Sequence, residues 1–462
     1  MSAPAASRPS SASRPRPAVA RLAELILASE HCIFVTGAGI STNAGIRDYR
    51  GPEGIWTEAV KQGKVSGGAF GEPSEDNTPW DEEFYQLLPA ARPTFTHRAI
   101  TALARPGCAD GREAPFVQHV ITQNEDALHR RSGLPPAQLS ELHGNAFIEL
   151  CGKHAEGDSD SDLDSSSDEE EPTPAGKRAA LKKLKLRLAR QQEIAEAKKL
   201  RPAGCGAAVV RSFVTYYGDT YQKSNPAGRH VTRRACPHCR GAGTQPPPPR
   251  PPFEERPREG AGWLLDSTVD FGEMPGGFPW GANAVHGVKA AKEQMQRADL
   301  VVALGTTLSV LANYFDPWHP ESKWAKPPPH GLRLAPPPPP PPPSAMAPST
   351  AAPPAKKSKS PRQAGKAAAA ASKPRPCLLA IVSRGDVLDE ELASVRVDDD
   401  VDGVMAELLP LLRVPSPPPY DPAADALVAE AVPPLEGEPA APFTIETALA
   451  AHREAEGSLA LD

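Results

Sequence analysis

CIFVTGAGISTNAGIRDYRGPEG, residues Cys32 to Gly54, is the stretch on which the reading of the chain turns. Cys32, Ile33, Phe34 and Val35 form a short apolar run of the kind that makes a buried strand. It breaks at once into Gly37-Ala38-Gly39-Ile40-Ser41. A buried strand ending in Gly-x-Gly is how an α/β domain brings main-chain N–H groups close to a phosphate. The first glycine allows the tight turn and the second lets the ligand approach the backbone. Glycine turns are common, so this alone does not decide a function. Asp48-Tyr49-Arg50-Gly51-Pro52, which follows, needs its own explanation.

Outward from this stretch, Val19, Leu22, Leu25 and Ile26 recur at helical spacing, predicting an amphipathic helix over 18–29. Residues 61–92 read as a loop with a short helix over 81–88, and 96–104 as a helix capped by Thr94 or Thr96. Further strands are predicted at 116–122, 139–142, 147–151, 299–304 and 378–382. They run into Gln123-Asn124-Glu125-Asp126, His143-Gly144-Asn145, Gly305-Thr306-Thr307 and Ser383-Arg384-Gly385-Asp386. Apolar runs that repeatedly end in small or polar residues fit an open parallel sheet, whose strand carboxyl ends line one ligand crevice.

Composition limits how much of the chain can join that sheet. Of 462 residues, 56 are proline and 5% are aromatic. Much of the chain cannot bury enough apolar surface to offset the entropy of ordering it. We expect about 250–280 folded residues, one domain with a small module. Residues 155–176 are acidic and serine-rich, and 177–200 form a helix-prone segment dense in Lys and Arg. The basic segment reads either as a solvated helix or as a nucleic-acid or nuclear-import patch. With Arg229, Arg233, Arg234 and the 356–362 run, it predicts phosphate contacts with DNA, RNA or a nucleosome without sequence readout. Residues 244–262 and 327–376 read as proline-rich linker and insert, and 414–462 as a disordered tail with short helices near 422–431 and 444–455. No apolar run approaches the length of a bilayer span. Residues 1–17 read as a disordered basic tail, with an organelle transit peptide as the alternative.

Seven cysteines in a chain of this length do not suggest a disulfide scaffold. Cys236-Pro237-His238-Cys239 is a C-x-x-C turn, whose thiolates can share one tetrahedral metal. Its partner pair is split. One assignment takes Cys151 and Cys205, with residues 154–204 lodged inside the first knuckle; the other puts His154 in place of Cys205. A closed four-ligand zinc site of this kind is structural. Cys32, Cys108 and Cys377 read as ordinary core or loop residues.

Thr36-Gly37-Ala38-Gly39-Ile40-Ser41-Thr42, Gly45-Ile46-Arg47-Asp48-Tyr49-Arg50-Gly51-Pro52, Gly54-Ile55-Trp56-Thr57, Gln123-Asn124-Glu125-Asp126, His143-Gly144-Asn145, Phe271-Gly272-Glu273 and Gly305-Thr306-Thr307-Leu308 stand in the order seen in sirtuins. The chain resembles that family, in its class IV branch, over about residues 18–153, 205–243, 263–326 and 377–409. The resemblance implies an α/β fold. It would be a Rossmann-like parallel sheet with helices on both faces, split over 18–150, 263–326 and 377–413, with a small zinc module over 151–243. It also implies an NAD-dependent lysine deacylase releasing nicotinamide and O-acyl-ADP-ribose. Mono-ADP-ribosyl transfer at the same site, or a chromatin scaffold with a decayed site, are the alternatives.

Carried onto this sequence, the resemblance makes His143 the base, with Asn124 beside it. Gly37, Ala38, Gly39, Ser41, Asp48, Tyr49, Arg50, Gln123, Asn124, Asp126, Gly305, Thr306, Thr307, Ser383 and Val401 would bind NAD. Val269 and Phe271 would line the acyl-lysine tunnel, and Gly272, Glu273 and residues 308–311 would flank the substrate backbone. Cys151, Cys205, Cys236 and Cys239 would hold zinc. Acylated lysines of histones or other basic proteins would be the substrates, in the nucleus. Arg47, Ser383, Glu125 and Asp270 depart from the residues usual in the family.

Overall fold

The computed structural model describes residues 15–51, 54–63, 82–109, 111–151, 205–215, 230–238, 263–269, 285–311, 314–319, 377–435, 438, 441, 444–448 and 450. Helix α1 (Pro17–Ala28) starts with proline at its first position, where the missing N–H costs nothing, and buries Val19, Leu22, Leu25 and Ile26. It leads into β1 (Cys32–Thr36), which is buried along its whole length. After α2 (Ile55–Lys61) and α3 (Glu82–Ala90), α4 (Phe95–Leu103) is capped by Thr94 in a reciprocal box with His97. Then follow β2 (His119–Thr122), the one-turn α5 (Leu128–Arg131), β3 (Leu139–Glu141) and β4 (Ile148–Cys151). Strands β5 (Ala208–Val210), β6 (Val231–Ala235) and β7 (Trp263–Asp266) precede α6 (Val288–Arg297) and β8 (Leu300–Leu304). The described chain continues through β9 (Leu378–Val382), β10 (Ala393–Val397), α7 (Val401–Leu411) and α8 (Ala426–Glu430).

Six strands form one parallel sheet in the order β10-β9-β8-β1-β2-β3. Alternate side chains divide between its faces, as the pleat requires. Phe34, Val120, Val302 and Ala380 pack with α1, α4 and α7, whereas Ile33, Val35, Val301, Ala303 and Ile381 pack with α6 and with Leu308, Leu311, Phe315 and Trp318. Among the described residues no helix is long and apolar enough to cross a membrane.

A second, antiparallel sheet has the order β5-β4-β7-β6. The boundary expected at 263 is corrected by this pairing. Strand β7 joins β4 and β6 in the small sheet, so the large sheet resumes later, at β8. The tail expected from 414 is corrected too. Asp425, Leu427 and Ile445 are buried, and residues 432 and 444 bridge the chain beside β5. Helix α6, β10 and α7 were not predicted; α7 runs through Pro410 into its last turn.

Asp299, next to β8, ties that strand to the turn before β1. Its buried carboxylate accepts from the Ser29 hydroxyl and from the main-chain N–H of Glu30 (2.8 Å) and His31 (3.2 Å). Asp299→Ala would leave these donors unpaired and should lower stability by about 2–4 kcal/mol. The check is a drop in the urea midpoint at unchanged m-value.

Candidate functional site

The chain leaves β1 for β2 and β3 on one side and later fills the other side with β8, β9 and β10. The topological switch point therefore lies between β1 and β8, where an open parallel sheet forms its ligand crevice. The loops after these two strands touch backbone to backbone. Gly37 N–H donates to Leu304 O (3.2 Å), and Gly39 N–H to Gly305 O (2.9 Å). A Cβ on Gly37 would lie 2.8 Å from Gly305 O, and one on Gly39 would lie 2.8 Å from Gly305 Cα. Gly305 has φ +57°, and a Cβ there would lie 2.6 Å from Ile40 N. Two amides expected to face phosphate are thus bonded to the neighbouring loop, and these glycines serve close packing of the two loops.

Ser41, expected on the cofactor, is fully buried and acts as a bridge. Asn124 Nδ2 donates to Gly37 O (3.1 Å) and Ser41 Oγ (3.2 Å), and Ser41 O–H donates to Asp126 Oδ2 (2.6 Å). A main-chain carbonyl can only accept, so the amide nitrogen must point inward. Both of its hydrogens are engaged, and Asn124 offers its carbonyl oxygen to a ligand. Asp126 Oδ1 accepts from Leu128 N–H (2.9 Å). Burial pushes the Asp126 carboxyl up from its usual range, opposed by the Ser41 and Leu128 bonds and by nearby Arg131. Gln123 Nε2 is buried with no partner among the described residues, a donor that suits a ligand in the crevice.

His143 sits on the loop after β3, half-buried. Burial pushes its pKa down to about 4, opposed by a hydrogen bond to the Gln123 main chain. It is therefore a neutral imidazole at pH 7. Its loop is pinned to the small sheet. Val269 N–H donates to His143 O (2.9 Å), Asn145 N–H to Ser267 Oγ (3.0 Å) and Ser267 O–H to Asn145 O (2.9 Å). Gly144 has φ +86°, and a Cβ there would meet Ser267 O at 1.8 Å.

The segment after the glycine loop folds on itself. Ile55 N–H and Trp56 N–H donate to Asp48 O and Tyr49 O (3.0 and 2.9 Å), and Gly51 N–H donates to Asp48 Oδ1 (3.1 Å). The Tyr49 and Trp56 rings stack at 5.8 Å, and Arg50 Cζ lies 5.4 and 5.2 Å from them. This accounts for Asp48-Tyr49-Arg50-Gly51 and Gly54-Ile55-Trp56 occurring together.

On the far side, Thr306 Oγ1 accepts from Leu308 N–H (3.1 Å), and Thr307 Oγ1 bonds Ser309 Oγ (2.8 Å). Residues 308–311, expected to flank the substrate backbone, include a turn, with Leu308 at φ +59° and Leu308 and Leu311 buried. Ser383 and Val401, also expected on the cofactor, are buried at the ends of β9 and of α7. Val269 is half-buried beside His143; Phe271, Gly272 and Glu273 lie outside the described residues.

Three thiols converge at the small sheet. The sulfurs of Cys151, Cys205 and Cys236 lie within 4.8 Å of one another, and Cys205 Sγ is 3.6 Å from Cys236 Sγ. Tetrahedral zinc with Zn–S of about 2.3 Å implies sulfurs about 3.8 Å apart, so the donor set fits that ion. Cys239 and His154 lie outside the described residues. Arg234, expected to meet nucleic acid, is instead buried and bonded to Glu149 (2.5 Å).

Sequence reading missed the support beneath the glycine loop. Thr94 O–H donates to Ile40 O (3.0 Å) and also meets His97 Nδ1 (2.8 Å). His97 and His129 pack edge to face at 4.8 Å, and His129 Nε2 meets Thr36 Oγ1 (2.9 Å). The capping pattern Thr94 to His97 was the available signal.

Interlocked glycine loops at a switch point, with Asn124 and Asp126 bonded against them, define an open parallel α/β protein with its crevice at that point. The Sir2 family model matches residues 37–312, and the chain belongs to that family. Over 132 residues it is 48% identical to NAD-dependent protein deacetylase Sirt6 of Drosophila melanogaster, covering 29% of this chain and 34% of that one. Over 133 residues it is 43% identical to NAD-dependent protein deacetylase sirtuin-7 of Mus musculus, covering 29% and 27%. The chain thus spans about a third or less of the length of these relatives. A Sir2 homologue in complex with ADP ribose aligns over 85% of this chain and 96% of its own, at 16% identity and a TM-score of 0.40, too distant to position a ligand.

Three buried histidines and the half-buried His143 are held neutral. His129 is pushed down to about 3, His119 and His143 to about 4, and His97 well below its ordinary value, all chiefly by burial. An unfolded chain takes up these protons near pH 6.5. The stabilising effect is complete above that pH and is lost as pH falls toward 4. The urea midpoint should therefore fall steeply between pH 6.5 and 4, and less steeply in His129→Gln.

Proposed function

We propose that the protein is an NAD-dependent protein lysine deacylase with His143 as its base. The observation that supports this reading is the bonding of Asn124 and Asp126 against the glycine loop through Gly37 and Ser41, with His143 hydrogen-bonded to the adjacent Gln123 main chain. Membership of the Sir2 family and likeness to relatives named as deacetylases support it. NAD, when bound, supplies an activated nicotinamide–ribose bond, so that the acyl group leaves lysine as O-acyl-ADP-ribose.

The chain's own residues have separable tasks. Asn124 Oδ1 would accept a ribose hydroxyl, its nitrogen being locked by Gly37 and Ser41. Asp126 would accept the carboxamide N–H, each carboxylate oxygen keeping a second lone pair. Gln123 Nε2 would donate to the ribose. A neutral His143 can take the hydroxyl proton, and the protein raises no charge there beforehand. Thr306 and Thr307 would face the phosphates, with Ala38 opposite. Asp48, Tyr49 and Arg50 would close over the ligand. Val269 and Phe271 would line the acyl tunnel, with Gly272 and Glu273 along the peptide.

Cys151, Cys205 and Cys236 would hold a structural zinc with Cys239. The approach of Cys205 to Cys236 favours it over His154. We read histones or other basic proteins as substrates, in the nucleus. The basic segments 177–201 and 356–362, which lie outside the described residues, would contact DNA, RNA or the nucleosome.

His143→Ala should reduce deacylation at least about 100-fold and leave the melting temperature within about 2 °C of wild type. Mass spectrometry of the products with an acetyl-lysine peptide should detect O-acetyl-ADP-ribose; ADP-ribosylated protein in its place would overturn the assignment. Purified protein should carry zinc in a one-to-one ratio. Cys236→Ala should lose the metal and several kcal/mol, on the order of 3–5, of stability.

A further inference from the structure

The residues after α7 enter the junction between the two sheets by two buried ion pairs. Asp425 holds Arg131 at the end of α5 (2.8 Å), with both side chains fully buried. Arg131 also donates to the carbonyls of Leu88, Pro89 and Ala91, and to Tyr420 Oη, while Tyr420 O–H donates to Asp425 (2.5 Å). Glu438 meets Arg211 of the small sheet (3.1 Å), which is itself paired with Glu149 (2.6 Å). The main chain joins in, with Val432 N–H donating to Val210 O (2.8 Å) and Ile445 N–H to Ser212 O (2.7 Å).

Between the ion pairs lies one apolar cluster. It brings Leu427 and Ile445 against Ile46 after the glycine loop, Leu128 after Asp126, Phe147 after His143 and Val214 of the small sheet. The loops that carry Asn124, Asp126 and His143, and the segment after the glycine loop, therefore rest on this part of the chain, while the loop after β8 packs elsewhere. Helix α5 makes the link mechanical. Its first N–H, at Leu128, is bonded to Asp126, and its last residue is Arg131.

We propose that the described residues between Tyr420 and Ile445 form a strap that fixes the small sheet against the nucleotide-binding sheet. In this scheme Asp425 is a positioning residue, acting through Arg131 on the loop that carries Asn124 and Asp126. A buried guanidinium deprived of its carboxylate must re-pair or move, which leaves the Arg130–Glu141 pair (2.7 Å) as the remaining ionic anchor at that end of a one-turn helix.

The test uses the full chain with Asp425→Asn, which keeps shape and removes charge. Hydrogen exchange should rise about tenfold or more at amides 123–131 and 88–91, and stay unchanged in β1 and β9. With NAD and an acetyl-lysine peptide, kcat for nicotinamide release should fall about tenfold while KM for the peptide changes less than about twofold. A uniform rise in exchange, or none at 123–131, would overturn the proposal. The kinetic arm rests on the deacylase reading. If wild type releases no nicotinamide, that reading fails by itself and the exchange pattern alone decides the strap. If Asp425→Asn does not fold, Tyr420→Phe is read at the same amides, with a smaller rise in the same places expected and its absence counting against the strap.

Discussion

Contact between the main chains of two loops governs the rest of the structure. Gly37 and Gly39 lie so close to Gly305 that no side chain fits at any of the three. The loop after β1 and the loop after β8 are therefore one unit, although far apart in the chain. The registers of β1 with β8 and of β8 with β9 are consistent with that contact, because Gly37 and Gly305 continue the strand hydrogen bonding into Leu304 and Val382. Moving either strand by one residue would invert its side chains and break the junction.

Around that unit the polar groups orient one another. Asn124, Ser41 and Asp126 are linked in one direction, each donor already matched to an acceptor. Beneath them Thr36, Thr94, His97 and His129 fill a buried layer in which neutral imidazoles are favoured. Hydrogen bonds in such buried, low-dielectric surroundings are costly to break, so a few contacts hold the geometry of the crevice.

The large sheet was legible because its strands are short apolar runs ending in Gly, Asn, His or Thr, and period and breaker agree. Strands β1, β3, β8 and β9 fall where the sequence puts them to within a residue. The strand expected from 116 is shorter, beginning at His119. Strand β10 escaped because Arg396 interrupts a short edge run, and α6 because its apolar face is reduced to Ala291 and Met295. Ser41 was read as a ligand contact and proved to be a bridge, since a hydroxyl in a glycine loop serves either purpose and only burial separates them. The strap was illegible. Pro-rich composition between 415 and 434 argues for disorder, and nothing local reveals that Arg131 and Arg211 each need a buried acid.

Strands β8 and β9 pair side by side, yet the chain between them runs from Gly305 to Cys377. Doubling the length of a flexible loop adds only about 0.6 kcal/mol to the cost of closing it. The same holds where the chain leaves β4 at Cys151 and returns at Cys205. These two crossings are ports. Past Trp318, which with Leu308, Leu311 and Phe315 packs on the sheet, and between Cys151 and Cys205, length can be added or exchanged at small closure cost while the registers on either side stay put, so one fold can take on new sequence without renegotiating its sheets.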